Sequence, residues 1–353
     1  MPLMIERPDA AAPLAGYYDD LIEAEQEFYI PAATENFVST GILANDEFTS
    51  VLDGDPVIRS FKNMTINENH IVRPTNRCKG MFIYVEGDLI VNGQLTMTAR
   101  GAKVEGRYIG INPAERRFYF HPTDIFPENF VKIGASGGAG GTRRGGGTSS
   151  YYRAAGNGGG VGANGACGGG GSGACTIYNC TSYSGAGSAG TSFSGGAGGG
   201  ASSEHQYNRQ SQGAAANGGA GGRGYSSWDG THSRGAGGGA GNPGGYTHLL
   251  GSGSRVNGGE GTGGLIVLIV RGNIFIGTNG SIQSHGSPGG STNAHTDGRA
   301  NGGGSGGGAI HVIHRGTIND VSKIVAIGGT GAGSWGGYAG GKGGDGTVNI
   351  VQI

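Results

Sequence analysis

Between residues 60 and 98, apolar and polar side chains alternate in short stretches, at 60–71, 81–86, 88–91 and 94–98. Alternation with period two places successive side chains on opposite faces of an extended chain, so each stretch predicts a β-strand. Turn signals separate them, Glu86 with Gly87 and Asn92 with Gly93, and the close spacing predicts a compact sheet or a short stacked β-layer. Further short apolar runs at Leu265–Val270, Ile274–Ile276, 309–313, 324–327 and 348–353 predict strands spread through the C-terminal part. The acidic stretch DDLIEAEQEF at 19–28 predicts two or three helical turns, because carboxylates suit the positive end of a helix. Residues 102–133 are aromatic without a regular period and carry prolines at 113, 122 and 127. They read as a loop-rich plug.

Between the later apolar runs the chain is mostly glycine. Nine of the 82 glycines precede residue 134, which leaves 73 for the last 220 positions. They recur every third residue at Gly159, Gly162, Gly165, Gly168 and Gly171, again at Gly235, Gly238, Gly241 and Gly244, and at 337–346. Period three is that of the extended polyproline-II helix, which makes no internal hydrogen bonds. Such segments become ordered only when neighbours satisfy their N–H and C=O groups, and a glycine face permits the approach. Collagen is excluded, because Pro243 and Pro288 are the only prolines after residue 133 and the period breaks repeatedly. A disordered linker is the competing reading of so much glycine; the fixed register and the interspersed apolar strands oppose it.

The expected fold is therefore mainly β and irregular. A small β-rich domain over residues 1–133 precedes a glycine-rich domain over 134–353, a bundle of polyglycine-II helices with short strands and displayed loops. Charge divides at the same place. Residues 1–133 hold 19 acidic and 12 basic side chains, residues 134–353 hold 6 and 12, and the net of −1 conceals this asymmetry. A near-neutral chain lacks the basic field expected of a nucleic-acid protein. No stretch approaches the ~20 apolar residues of a membrane span, and the first residues have no apolar core of a signal peptide. Cys78, Cys167, Cys175 and Cys180 match no common zinc spacing and form no disulfide framework; incidental thiols are expected, with one local disulfide as the alternative.

Catalytic motifs occur only as glycine makes them occur. Residues 134–138 fit G-x-S-x-G without a strand-to-helix elbow. Residues 336–342 approach a phosphate loop, but Gly343 stands where a Ser or Thr should bind magnesium. His311 and His314 lie three apart on an expected strand and point to opposite faces. The acidic residues after 134 are scattered singly, whereas a glycosidase needs a carboxylate pair. The expectation is a protein that is not an enzyme and has no cofactor or metal.

The segments between glycine runs carry the distinctive chemistry. Tyr151, Tyr152, Tyr178, Tyr207, Trp228, Tyr246 and Trp335 lie near arginines that include Arg153, Arg209, Arg223 and Arg234. Tyr, Trp and Arg give large contact area at low entropic cost, and arginine forks grip phosphate and carboxylate groups. These aromatic residues with Arg153, Arg209 and Arg234 are the candidate receptor-binding set. Gly159, Gly162, Gly165, Gly168, Gly171, Gly235, Gly238, Gly241 and Gly244 are the expected inward-facing scaffold.

Two features, the β-rich passage FKNMTINEN…MFIYVEGDLIVNGQLTMTARGA and the succession of glycine motifs with aromatic loops over 134–353, resemble the distal adhesins at the tips of T-even-type bacteriophage long tail fibres. The resemblance implies a virion protein assembled in the host cytoplasm. Its N-terminal part would attach to the tail-fibre shaft or another virion protein. Its loops would bind a host outer-surface protein or lipopolysaccharide. Residues 1–133 contain no tryptophan, unlike that family's attachment part, so a different fibre, a spike or the baseplate stays open as an alternative seat. The alternative is a non-adhesive structural virion or extracellular matrix component with the glycine bundle as spacer.

Overall fold

The computed structural model describes residues 26–41, 48–103, 108–112, 117–121, 131–133, 139, 155–176, 184–203, 216, 218–224, 236–247, 256–291, 300–333 and 339–353. These residues form strands and almost no helix. In chain order the first are β1 (Gln26–Tyr29), β2 (Phe37–Val38), β3 (Val57–Phe61), β4 (Met64–Ile66) and β5 (Ile71–Val72). Next come β6 (Met81–Val85), β7 (Leu89–Val91), β8 (Gln94–Thr96), β9 (Tyr108–Asn112), β10 (Arg117–His121) and β11 (Val131–Ile133). After β12 (Cys175–Thr176) and β13 (Ser202–Ser203) follow β14 (Leu265–Val270), β15 (Ile274–Ile276) and β16 (Ser281–Gln283). The last are β17 (Ala309–His314), β18 (Ile324–Val325) and β19 (Thr347–Gln352).

Three parallel sheets organise the molecule. Their orders are β19-β17-β14-β6-β3, β15-β7-β4-β2 and β18-β16-β8-β5. The chain visits them in one repeating sequence: β3, β4, β5; then β6, β7, β8; then β14, β15, β16. A fourth turn runs from β17 through Ile318, which bridges Ile274, to β18, and β19 begins a fifth. The result is a three-sided coil with one strand per side per turn. Its interior holds Met64, Ile66, Leu89, Val91, Leu95, Ile266, Leu268, Ile276, Ile282, Ile310 and Val312, all essentially inaccessible.

A polar ladder runs up one corner of the coil. Asn63 donates to Asn36 and accepts from the Asp88 N–H; Asp88 accepts from the Asn273 N–H; Asn273 accepts from the Thr317 N–H. Each side chain thus holds the turn of the next layer, which recurs because each layer repeats a short motif: Glu86-Gly-Asp-Leu, Arg271-Gly-Asn-Ile and Arg315-Gly-Thr-Ile.

The five-stranded sheet is covered on its outer face as well. Phe82, Tyr84, Leu265, Val267, Ile269 and Ile313 pack there against Ile30, Cys167 and Phe193. Burial of both faces explains why β6, β14 and β17 are apolar or buried throughout instead of alternating.

The glycine-rich runs leave and re-enter the coil at a single corner. Residues 97–264 connect the second layer to the third, 284–308 the third to the fourth, and 326–346 the fourth to the fifth. Their backbones are hydrogen-bonded to one another in steps of three. Gly156, Gly159 and Gly162 donate to Ala339, Lys342 and Asp345; Gly168, Gly171 and Ala174 donate to Gly307, Gly304 and Asn301, all at 2.8–2.9 Å. The run 300–308 sits in the middle. It donates to the runs around 290, 199 and 341, through Gly302, Gly303 and Gly304, and it accepts from Gly171, Ala240 and Gly329. Six neighbours around one extended chain require backbones too close for side chains. A methyl on Gly168 would overlap the Gly344 carbonyl, one on Gly171 the Gly341 carbonyl, and one on Gly159 the Gly169 carbonyl.

Three expectations change here. Gln26–Tyr29 is not the end of a helix. It is β1, paired antiparallel with β10 with Phe28 in register with Phe118 and Glu27 with Tyr119; a strand partner distant in sequence overrules the local helical preference. Residues 102–133 contain three strands, β9, β10 and β11, in an antiparallel sheet with β1, and the prolines at 113, 122 and 127 fall between strands. Finally, Gly165 is not a step in a straight run. Asn164 (φ 52°) and Gly165 (φ 85°) reverse the chain, a left-handed conformation that suits Asn and Gly, so the third-residue spacing bridges two antiparallel runs. The compositional boundary near 133 marks a change of texture. Pairing of β6 with β14 and a shared core run across it.

Candidate functional site

Each glycine run ends in a level layer remote from the coil. Hydrogen bonds link Gly173 to Gly185, Gly185 to Gly200, Ala201 to Gly237 and Gly237 to Ala300. Others link Gly224 to Tyr246, Val256 to Ser291, Gly340 to Ala332 and Gly156 to Ala339. Ala174, Ala201, Ala236 and Ala300 cluster within this layer, fully buried. Reversals at the opposite end touch the coil. There Ser194, Asn242 and Thr262 form a buried knot, with Ser194 Oγ 2.5 Å from Thr262 Oγ1 and the Asn242 amide bound to the Gly101 carbonyl.

The far layer is where the runs stop and the polar, aromatic segments begin. Residues 176, 203, 224, 247, 291 and 333 lead out of it; 155, 184, 236, 256, 300 and 339 lead back in. Tyr246 stands there, 43% exposed, with the Arg223 guanidinium 4.7 Å from its ring centroid. Stacking of a cation on an aromatic face holds both side chains in a displayed pose. Val256, half exposed, and Asn257, whose side chain accepts from the Thr247 N–H, adjoin it.

Of the other candidates, Tyr151, Tyr152, Arg153, Tyr178, Tyr207, Arg209, Trp228, Arg234 and Trp335 lie outside the described residues, as do Gly235 and Cys180. Gly159, Gly162, Gly168, Gly171, Gly238, Gly241 and Gly244 are all in tight backbone contact with neighbouring runs. The alanine cluster was not foreseen. Its signal is the placement of alanine where a glycine run meets a polar stretch: Ala174-Cys-Thr, Ala201-Ser-Ser, Gly235-Ala236 and Arg299-Ala300.

Chemistry elsewhere is occupied by structure. Gly340, Gly341, Gly343 and Gly344 donate their N–H groups to carbonyls of other runs, and Lys342 Nζ lies 2.8 Å from Asp345, so these residues make no phosphate cradle. The G-x-S-x-G stretch at 134–138 lies outside the described residues. His311 and His314 face opposite sides of β17. His311 Nε2 meets the Gly165 carbonyl at 3.1 Å and its Nδ1 meets the Asn349 amide at 3.4 Å, which fits the neutral ring with the proton on Nε2. Burial lowers its pKa to about 3. Cys78, Cys167 and Cys175 are buried and not joined in disulfides. Burial raises the Cys78 and Cys167 thiols above their usual range, which makes them poor nucleophiles. Among the described residues no group of three His, Cys, Asp or Glu could hold a metal, and no helix is long and apolar enough to cross a membrane. Comparison with known protein families, with curated proteins and with solved structures gave no match.

Proposed function

We propose that this chain is a non-enzymatic receptor-binding protein of a bacteriophage virion, an adhesin at a tail-fibre tip that grips a host surface protein or lipopolysaccharide. The single observation that carries the reading is the common layer from which the polar, aromatic segments leave the glycine runs. The described residues flanking those segments, from 155 to 339, share this one layer, and binding residues concentrate on segments that a rigid scaffold carries in this way. Backbone pairing in steps of three with six neighbours supports the finer fold, a bundle of polyglycine-II helices. On this reading the antiparallel β1-β10-β9-β11 sheet belongs to the part that meets the virion.

Adsorption measurements test it. The paired substitution Arg223→Ala with Tyr246→Ala, and separately Trp228→Ala with Arg234→Ala, should each weaken virion adsorption tenfold or more with Tm almost unchanged. Loss of two anchors at about 1–2 kcal/mol each predicts that size. Normal adsorption in both variants would favour the structural, non-adhesive reading instead.

A further inference from the structure

Positive charge collects at the corner where the glycine runs leave the coil. Parallel bridges stack Gly54, Cys78 and Gly101 in successive layers. The residues just before them, Asp53, Arg77 and Arg100, therefore follow one another at the strand spacing of about 4.8 Å. Arg77 grips Asp53 through both oxygens, Nε to Oδ1 at 3.2 Å and Nη2 to Oδ2 at 3.1 Å. The Lys103 N–H donates to the same carboxylate at 3.0 Å, and the lysine's charge acts on it too. Lys103 also flanks the bundle, its Cγ 3.4 Å from where a methyl on Gly219 would sit.

Arg73 joins this group from β5. It precedes Pro74, whose carbonyl accepts from Arg100 Nε at 3.1 Å. Four cations thus share one carboxylate, an excess of three, and Asp53 is already engaged by Arg77. Arg73, Arg100 and Lys103 have no carboxylate partner among the described residues. Arg100 is nevertheless fixed in place, because its Nη1 donates to the Ala99 carbonyl at 3.3 Å. Ala99 (φ 55°) and Asp53 (φ 54°) both hold left-handed backbone, which is costly for alanine. Strain of this kind collects at functional sites. Burial lowers the pKa of Arg100, and the charges of Arg73 and Arg77 lower it further. Capping of carbonyls accounts for Arg100. It does not account for Arg73, which makes no hydrogen bond among the described residues and adds only repulsion.

We propose that this corner binds a phosphate group, free or carried by a sugar, with Arg73 and Arg100 as the charged grips and Lys103 at the rim. The charge excess selects the ligand. A carboxylate would leave two positive charges uncompensated, whereas a phosphate monoester brings nearly two negative charges and three acceptor oxygens. A guanidinium fork fits two of those oxygens at once. The site lies at the base of the glycine bundle, away from the far layer, and does not rest on receptor recognition.

Calorimetric titration of the full chain with inorganic phosphate, against sodium chloride at matched ionic strength, tests it. The wild type should bind with a Kd of about 1 mM. Arg73→Gln and, independently, Arg100→Gln should each weaken binding about tenfold or more. Without phosphate, Arg73→Gln should melt at the wild-type Tm or above it, since it relieves repulsion. This variant carries the test where Arg100→Gln, which loses two hydrogen bonds, disturbs folding. Glucose 1-phosphate separates the two sources. Tighter binding of the ester assigns a phosphorylated sugar, tighter binding of the ion assigns free phosphate, and either upholds the site. Wild type that binds neither probe below about 20 mM would overturn the proposal. So would wild-type affinity in both variants, or a lowered Tm in Arg73→Gln, which would give that residue a structural role.

Discussion

At the scale of single residues, glycine is required where backbones touch and dispensable where they do not. Gly168 and Gly333 belong to similar stretches of sequence, yet a methyl at Gly168 meets the Gly344 carbonyl and one at Gly333 meets nothing within 4 Å. Gly168→Ala should therefore cost about 1–3 kcal/mol or more in thermal unfolding, whereas Gly333→Ala should be neutral or slightly stabilising through its effect on the unfolded chain. His311 supplies a different residue-scale prediction. Above pH 6.5 its ring is neutral whether the protein is folded or not. Between that value and about 3, the unfolded chain takes up a proton that the buried ring refuses, so stability falls as pH drops through this window. Replacing His311 with Gln should remove up to about 1.4 kcal/mol per pH unit from the slope of unfolding free energy there. The slope is read from denaturant titrations between pH 6.5 and 3.

At the scale of elements, the apolar stretches at 81–91, 265–276 and 309–313 were legible as strands because burial requires continuous or alternating hydrophobicity. Their partnership was not. β6 pairs with β14 across all of residues 86–264, and contacts so distant leave no local pattern. A periodic clue existed in the repeated Gly-Asp-Leu, Gly-Asn-Ile and Gly-Thr-Ile motifs, each at the corner where a strand of the five-stranded sheet gives way to the next side. β1 and β10 were misread for the reverse reason, since their antiparallel partners overrule acidic or proline-flanked local sequence. The corner ladder makes the layers interdependent. Asn273→Ala would remove the acceptor of the Thr317 N–H and the amide that donates to Asp88. It should cost about 1 kcal/mol, the usual net worth of partly exposed hydrogen bonds. Asn273→Asp should not recover this, because it keeps the acceptor but sets a second carboxylate against Asp88 where the amide donated.

For the whole molecule, third-residue glycine spacing was legible and the place of each run was not. Gly165 belonged to the spacing but turned out to be a reversal, and only Tyr246 of the expected recognition residues falls among those described. On the proposed function, stability and recognition are separated. The coil and the packed runs would hold the fold, and the far layer would carry the binding residues. Loss of adsorption without loss of Tm in the Arg223 and Tyr246 variant is the signature expected of that separation.

The three-residue step also sets rules for how such a chain can change length over evolution. Between the runs, residues gained or lost in any number leave the phase of the described ladders unchanged. Within a run, one inserted residue rotates every following N–H by a third of a turn, away from its acceptor and toward another chain. Three inserted residues restore the phase. Lineages of this protein are therefore free to vary in their displayed segments while their runs drift by triplets, a reading-frame constraint imposed by hydrogen bonds instead of codons.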